Sequence, residues 1–124
     1  MSIAIKRVYE PIAKSDGKRV LVDRLWPRGV NKDEIALDMW AKELAPSVSL
    51  RRWFGHDPSR WDTFRHRYAT ELDGKTRTEH WRELVREAAH HRVTLLYGAK
   101  DEEHNNAVAL KAYLEAWIKG HGPH

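Results

Sequence analysis

The run Val22-Asp23-Arg24-Leu25-Trp26-Pro27-Arg28-Gly29-Val30 sets one carboxylate, two guanidiniums and an aromatic ring in a loop marked by Pro and Gly. The loop leaves an aliphatic run, Val20-Leu21-Val22. In open α/β sheets ligands bind beyond the carboxyl ends of the strands. Arg24 and Arg28 could grip a phosphate or a carboxylate through paired N–H donors. The same residues also allow an internal ion pair between Asp23 and an arginine that pins the loop, and the sequence leaves both readings open. Trp26 is either core or pocket wall.

A second constellation follows another aliphatic run: Tyr97-Gly98-Ala99-Lys100-Asp101-Glu102-Glu103-His104-Asn105. A glycine lets the backbone approach a ligand, Lys100 adds a point charge, and the free amides of a following helix attract anions. Asp101, Glu102 and Glu103 could satisfy those amides themselves, as in an ordinary loop that caps a helix. The Gly-Lys-Ser/Thr pattern of a P-loop is missing. A third stretch, Lys42–Ser47 followed by Leu50–Pro58, offers Ser47 and Asp57 as helix caps and Trp53 and Phe54 as core. Its Arg51, Arg52 and His56 face either a cleft or water.

Other chemistries find little in the chain. With no cysteine there is no disulfide, no thiolate nucleophile and no Cys-based metal site. The eight histidines form no His-x-x-x-His or His-Glu-x-x-His pair, and adjacent His90 and His91 diverge on a helix. No Gly-x-Ser-x-Gly nucleophile motif or Gly-rich cofactor loop is present. The sequence names no cofactor and no metal.

These residues must be positioned by strands and helices. Strands are expected near 3–8, 19–24 and 93–97. The last two are unbroken apolar runs, which points to burial on both faces beneath helices. Helices are expected near 58–72, 78–91 and 104–119. Asp57 and Pro58 open the first, and Thr76 with Glu79 fits a capping box for the second. Trp81, Leu84, Val85, Ala88 and Ala89 give the second a full apolar stripe. Asp101 caps the third and Gly120 ends it. A short helix fits Ser47–Phe54, closed by Gly55. In Asp33–Leu44, Ile35, Leu37 and Met39 alternate like a strand while Trp40 and Leu44 suit a helix. The buried side chains include Trp61, Phe64, Trp81, Leu84, Val85, Leu110 and Leu114. The expected architecture is α/β: a single layered domain over 1–120, with a small, mostly parallel sheet flanked by helices, and a tail at 121–124.

The 124 residues fit one domain, which buries roughly two thirds of its unfolded surface. The 41% hydrophobic content and six tryptophans argue against disorder. Twenty-two Lys and Arg against 18 Asp and Glu give a net charge of +4, a mild excess that suits anionic partners without demanding nucleic acid. On the helices the basic residues alternate with acids, as on a solvated face. No secretory h-region and no membrane-length apolar run appears, so the expected setting is the cytoplasm with no membrane partner. The sequence leaves the oligomeric state open.

The wordings Arg19–Gly29, Trp40–Ser47 and Arg51–Asp57, with Leu95–Asp101 and His104–Ala107, resemble the YeaO-like proteins, part of the domain of unknown function 488 family. The resemblance runs over nearly the whole chain. It implies a small bacterial cytoplasmic α/β protein and brings no assigned activity or site residues. The residues themselves point to a small anionic ligand in a pocket at the carboxyl ends of the strands. Arg24, Arg28 and Lys100 would bind it, Asp23 would orient an arginine or act as a base, and Tyr97 or His104 would offer a proton. The alternative is an accessory module that binds nucleic acid or protein without catalysis.

Overall fold

The computed structural model describes residues 2–121. Four strands, β1 (Ser2–Arg7), β2 (Lys18–Leu21), β3 (Met39–Trp40) and β4 (Arg92–Tyr97), form one sheet in the order β1-β4-β2-β3. Every pairing is parallel, with Ile5 beside Leu95 and Leu95 beside Val20. The helices are α1 (Val48–Phe54), α2 (Trp61–Asp73), α3 (Glu79–His90) and α4 (Asn106–His121), and Pro58–Arg60 forms a 3-10 turn before α2. Among the described residues no helix is long and apolar enough to cross a membrane.

Side-chain alternation along the strands separates two cores. Ile3, Val20, Val22, Val93, Leu95 and Tyr97 join the buried faces of all four helices in the larger one. On the opposite face Leu21 and Leu96 pack with Val8 and Ile35, and with the half-buried Trp26, Val30, Leu37 and Trp40. The sheet therefore has helices on one side, while the segment from Trp26 to Trp40 closes the other. Phe64, Trp81, Leu84, Val85, Leu110 and Leu114 are buried as their stripes require, whereas Trp61 is half-buried at the edge of the core.

Local chemistry explains the boundaries, including those that differ from expectation. Ser47 Oγ accepts the Leu50 amide at 3.2 Å, and Gly55 ends α1 with φ +53°. The cap of α3 is Thr78, which accepts from the Trp81 amide, and not Thr76, which lies in the preceding turn. The cap of α4 is Asn105, whose Oδ1 accepts the Val108 amide at 3.0 Å. Asp101 instead takes the amides of Glu103 and His104, both at 2.9 Å, and so folds the loop before the helix. Gly120 does not stop α4, which runs through it to His121, where the imidazole stacks on Trp117 at 4.0 Å. The rest of the expected tail, 122–124, lies outside the described residues.

A buried ionic cluster supports the first turn. Asp16 bonds Lys6 at 2.9 Å and the buried Arg19 at 2.5 Å, and its Oδ2 also accepts the Ala13 amide at 3.0 Å. Burial pushes its carboxyl upward, but these donors and cations outweigh burial and hold it below the ordinary carboxylate range. Gly17, with φ +65°, lets the chain pass from this turn into β2, and a Cβ there would stand 2.2 Å from the Arg92 carbonyl oxygen.

Candidate functional site

The parallel neighbours β2 and β4 end side by side, and Asp23 ties their exits together. Its Oδ2 accepts the Gly98 amide at 2.9 Å and its Oδ1 accepts Asn106 Nδ2 at 3.0 Å. The same Asn106 amide donates to the Val22 carbonyl at 2.9 Å, and Trp40 Nε1 donates to the Asp23 carbonyl at 2.8 Å. A Cβ on residue 98 would come within 3.2 Å of Asp23 Oδ2, so glycine suits this close approach. Burial lifts the Asp23 carboxyl above the ordinary range, against the opposing pull of the Asn106 and Gly98 bonds and the Arg51 and His56 charges.

Above this junction lies a cleft of about 410 Å³. One wall carries Asp23, Arg24, Trp26 and Arg28, a second carries Arg51, Arg52 and His56 from the end of α1, and a third carries Gly98, Ala99 and His104. Asp23, Arg24, Arg28 and His104 thus meet in one cleft, while Tyr97 and Lys100 do not line it. Tyr97 is buried in the helical core, because its place in β4 points it inward, and Lys100 is exposed on the loop.

The two arginines of the 22–30 loop differ in kind. Arg24 Nε donates to the Pro46 carbonyl at 3.2 Å and Nη2 to the Ala45 carbonyl at 3.4 Å, so this side chain fastens its loop to the segment before α1. Arg28 lends its carbonyl to the Tyr9 hydroxyl at 2.8 Å. Among the described residues its guanidinium has no ionic partner, and neither have those of Arg51 and Arg52. Asp23 likewise forms no ion pair with an arginine among them; of the two readings left open, the loop-pinning pair is absent there, and Asp23 bonds two amides instead.

Two histidines line the cleft, His56 from the end of α1 and His104 from the loop before α4. His104 Nδ1 lies 3.0 Å from Asp101 Oδ2, and its ring meets Trp61 edge-on at 5.4 Å. Asp101 is held by the Glu103 and His104 amides, which with the imidazole keep its carboxyl below the usual range. With Nδ1 engaged there, Nε2 of His104 has no hydrogen-bond partner among the described residues. His56 follows Gly55 in the left-handed region, with φ +57°, a conformation uncommon outside glycine. The set of Arg51, Arg52 and His56 joins the site through the packing of α1, a long-range fact carried by no local motif. Chemically the cleft gathers four guanidiniums, one carboxyl group and two imidazoles. Among the described residues no group of three His, Asp or Glu is placed to hold a metal ion.

No solved structure matches the chain. It is 43% identical over 116 residues to YeaO of Escherichia coli K12, described as uncharacterized, which covers 94% of this chain and 99% of YeaO. Rv3073c of Mycobacterium tuberculosis H37Rv and Mb3100c of Mycobacterium bovis, described in the same way, are each 45% identical over 83 residues, 67% of this chain and 70% of theirs. The model of the inactive DUF488-N3 subclade matches residues 2–122. The chain therefore belongs to the YeaO-like proteins of the domain of unknown function 488 family, in the subclade described as inactive.

Proposed function

We propose that this protein binds a small anion, a phosphate- or carboxylate-bearing molecule, in the cleft at the carboxyl ends of β2 and β4. One observation carries the reading: Arg28, Arg51 and Arg52 line one concave site and have no ionic partner among the described residues. Asp23 is the one acidic side chain lining the cleft among the described residues, so positive charge is in excess there, and a bound oxyanion would offset that excess while taking paired N–H bonds. Arg24 acts here by holding its loop, and Lys100 plays no direct part. His104, oriented by Asp101, supplies a further polar contact. The subclade's description as inactive favours binding over turnover. The bacterial relatives and the lack of cysteine fit a cytoplasmic setting.

The test is calorimetric titration with inorganic phosphate and simple carboxylates on the wild type and on Arg51→Ala and Arg28→Ala. Saturable binding is expected, weakened about tenfold or more in each variant by loss of a charge-assisted contact. Equal affinity in both variants would assign the arginines to structure alone.

A further inference from the structure

We infer that the ligand carries its negative charge on a flat, largely apolar body of one or two rings, an inference that rests on the anion-binding reading above. A cleft of about 410 Å³ falls in the range of roughly 300–1,000 Å³ that holds organic ligands, and a bare oxyanion would leave most of it empty. Exposed apolar side chains also line it. Of the four large hydrophobic side chains exposed among the described residues, Tyr9 at 48% and Leu25 at 62% both line this cleft. Single exposed apolar residues need no explanation, but two on the mouth of one arginine-lined cleft form a surface.

The hydrogen-bonding groups of the nearby rings are already engaged. The Tyr9 hydroxyl donates to the Arg28 carbonyl at 2.8 Å, and Trp26 Nε1 donates to the Val30 carbonyl at 2.7 Å. What these rings offer a ligand is face and edge, which recognise a planar apolar body by stacking and not by hydrogen-bond pattern. The Tyr9 bond also ties the ring to the Arg28 backbone, and the Arg7 guanidinium lies over the ring at 4.8 Å, while the residue stays 48% exposed and lines the cleft. The arrangement is bipartite, with cations from the 22–30 loop and α1 for the charge and Tyr9 with Leu25 for the ring.

Titrations with inorganic phosphate, phenyl phosphate, benzoate and a nucleoside monophosphate separate the parts. At least one aryl or heterocyclic anion should bind about tenfold or more tightly than inorganic phosphate. The ranking of phenyl phosphate against benzoate tells a phosphate head from a carboxylate head. Leu25→Ala, at an exposed position, should erase most of the aryl advantage while leaving inorganic phosphate and the melting temperature unchanged; Tyr9→Leu should also erase it, with a lower melting temperature from loss of the bond to the Arg28 carbonyl. Aryl and inorganic phosphate binding with equal affinity would overturn the bipartite ligand and leave the anion site standing. Aryl preference untouched by both variants would also overturn it. No binding by any of the four, or aryl binding untouched by Arg51→Ala, would remove the anion reading and this inference with it.

Discussion

In the candidate site Asp23 is acidic, sheltered and held by uncharged donors, the Gly98 amide and Asn106. Its carboxyl is raised, so the folded state holds its proton more tightly than the unfolded chain does. Stability from this group is therefore greatest below the unfolded pKa of about 3.9 and is lost as the pH rises through the higher folded value. Asp23→Asn removes that loss. Denaturant unfolding at about pH 4 and pH 7 should show the wild type losing ground to the variant as the pH rises, on top of any constant offset from the altered hydrogen bonds. Asp16 has the opposite sign. Its lowered carboxyl contributes stability above the unfolded pKa, and that contribution is lost as the pH falls through the folded one. Asp16→Asn strands the buried Arg19, and should cost about 3–5 kcal/mol at neutral pH, with less difference in acid. The loop residues Asp23, Arg24, Arg28 and His104 were legible as site candidates because each follows an apolar strand, and strand ends are where such sheets bind. Arg51, Arg52 and His56 were not separable from solvated surface. Three polar residues at the end of a short helix read alike whether the helix end faces a cleft or water.

The elements were legible wherever an apolar period ran long enough to specify a face. The aliphatic runs of β2 and β4 and the stripe of α3 left little choice. Leu84→Ala or Leu110→Ala, at fully buried positions, should cost about 2–5 kcal/mol in denaturant unfolding. β3 was only half legible, because two residues cannot display a period and their place depends on hydrogen bonds to β2. The caps at Thr78 and Asn105 were missed for a related reason. Several side chains near each helix start could accept an amide, and packing selects among them. Gly17 shows how strongly backbone proximity governs these boundaries. Gly17→Ala must both adopt a left-handed φ and push against the Arg92 carbonyl, so a loss of about 2 kcal/mol or more is expected. The second face of the sheet was expected beneath helices like the first. An unbroken apolar strand requires cover but does not say of what kind, and here the Trp26–Trp40 segment supplies it.

At the scale of the whole molecule, a net charge of +4 spread among alternating signs gives no continuous phosphate track. A small ligand held by a few arginines in a cleft should therefore lose far less affinity between roughly 50 and 200 mM salt than a nucleic acid would. Binding along a nucleic-acid backbone through six to ten phosphates would lose about 10³–10⁵ over the same range. A steep slope with an oligonucleotide would favour the accessory-module alternative. The strand order has a consequence for biosynthesis. β4 lies between β1 and β2, so it supplies every pairing of the sheet except the two-residue contact of β2 with β3. A nascent chain has made the first 91 residues before the central strand exists, and until then β1 has no partner and the larger core has no middle. The sheet cannot be completed before the last quarter of the chain is made, and until then apolar segments stay open to whatever binds exposed hydrophobic chain during translation. A protein stopped at residue 91 should therefore be a ready client for chaperones and proteases, and a separately made 92–124 segment should rescue it only by arriving before they do.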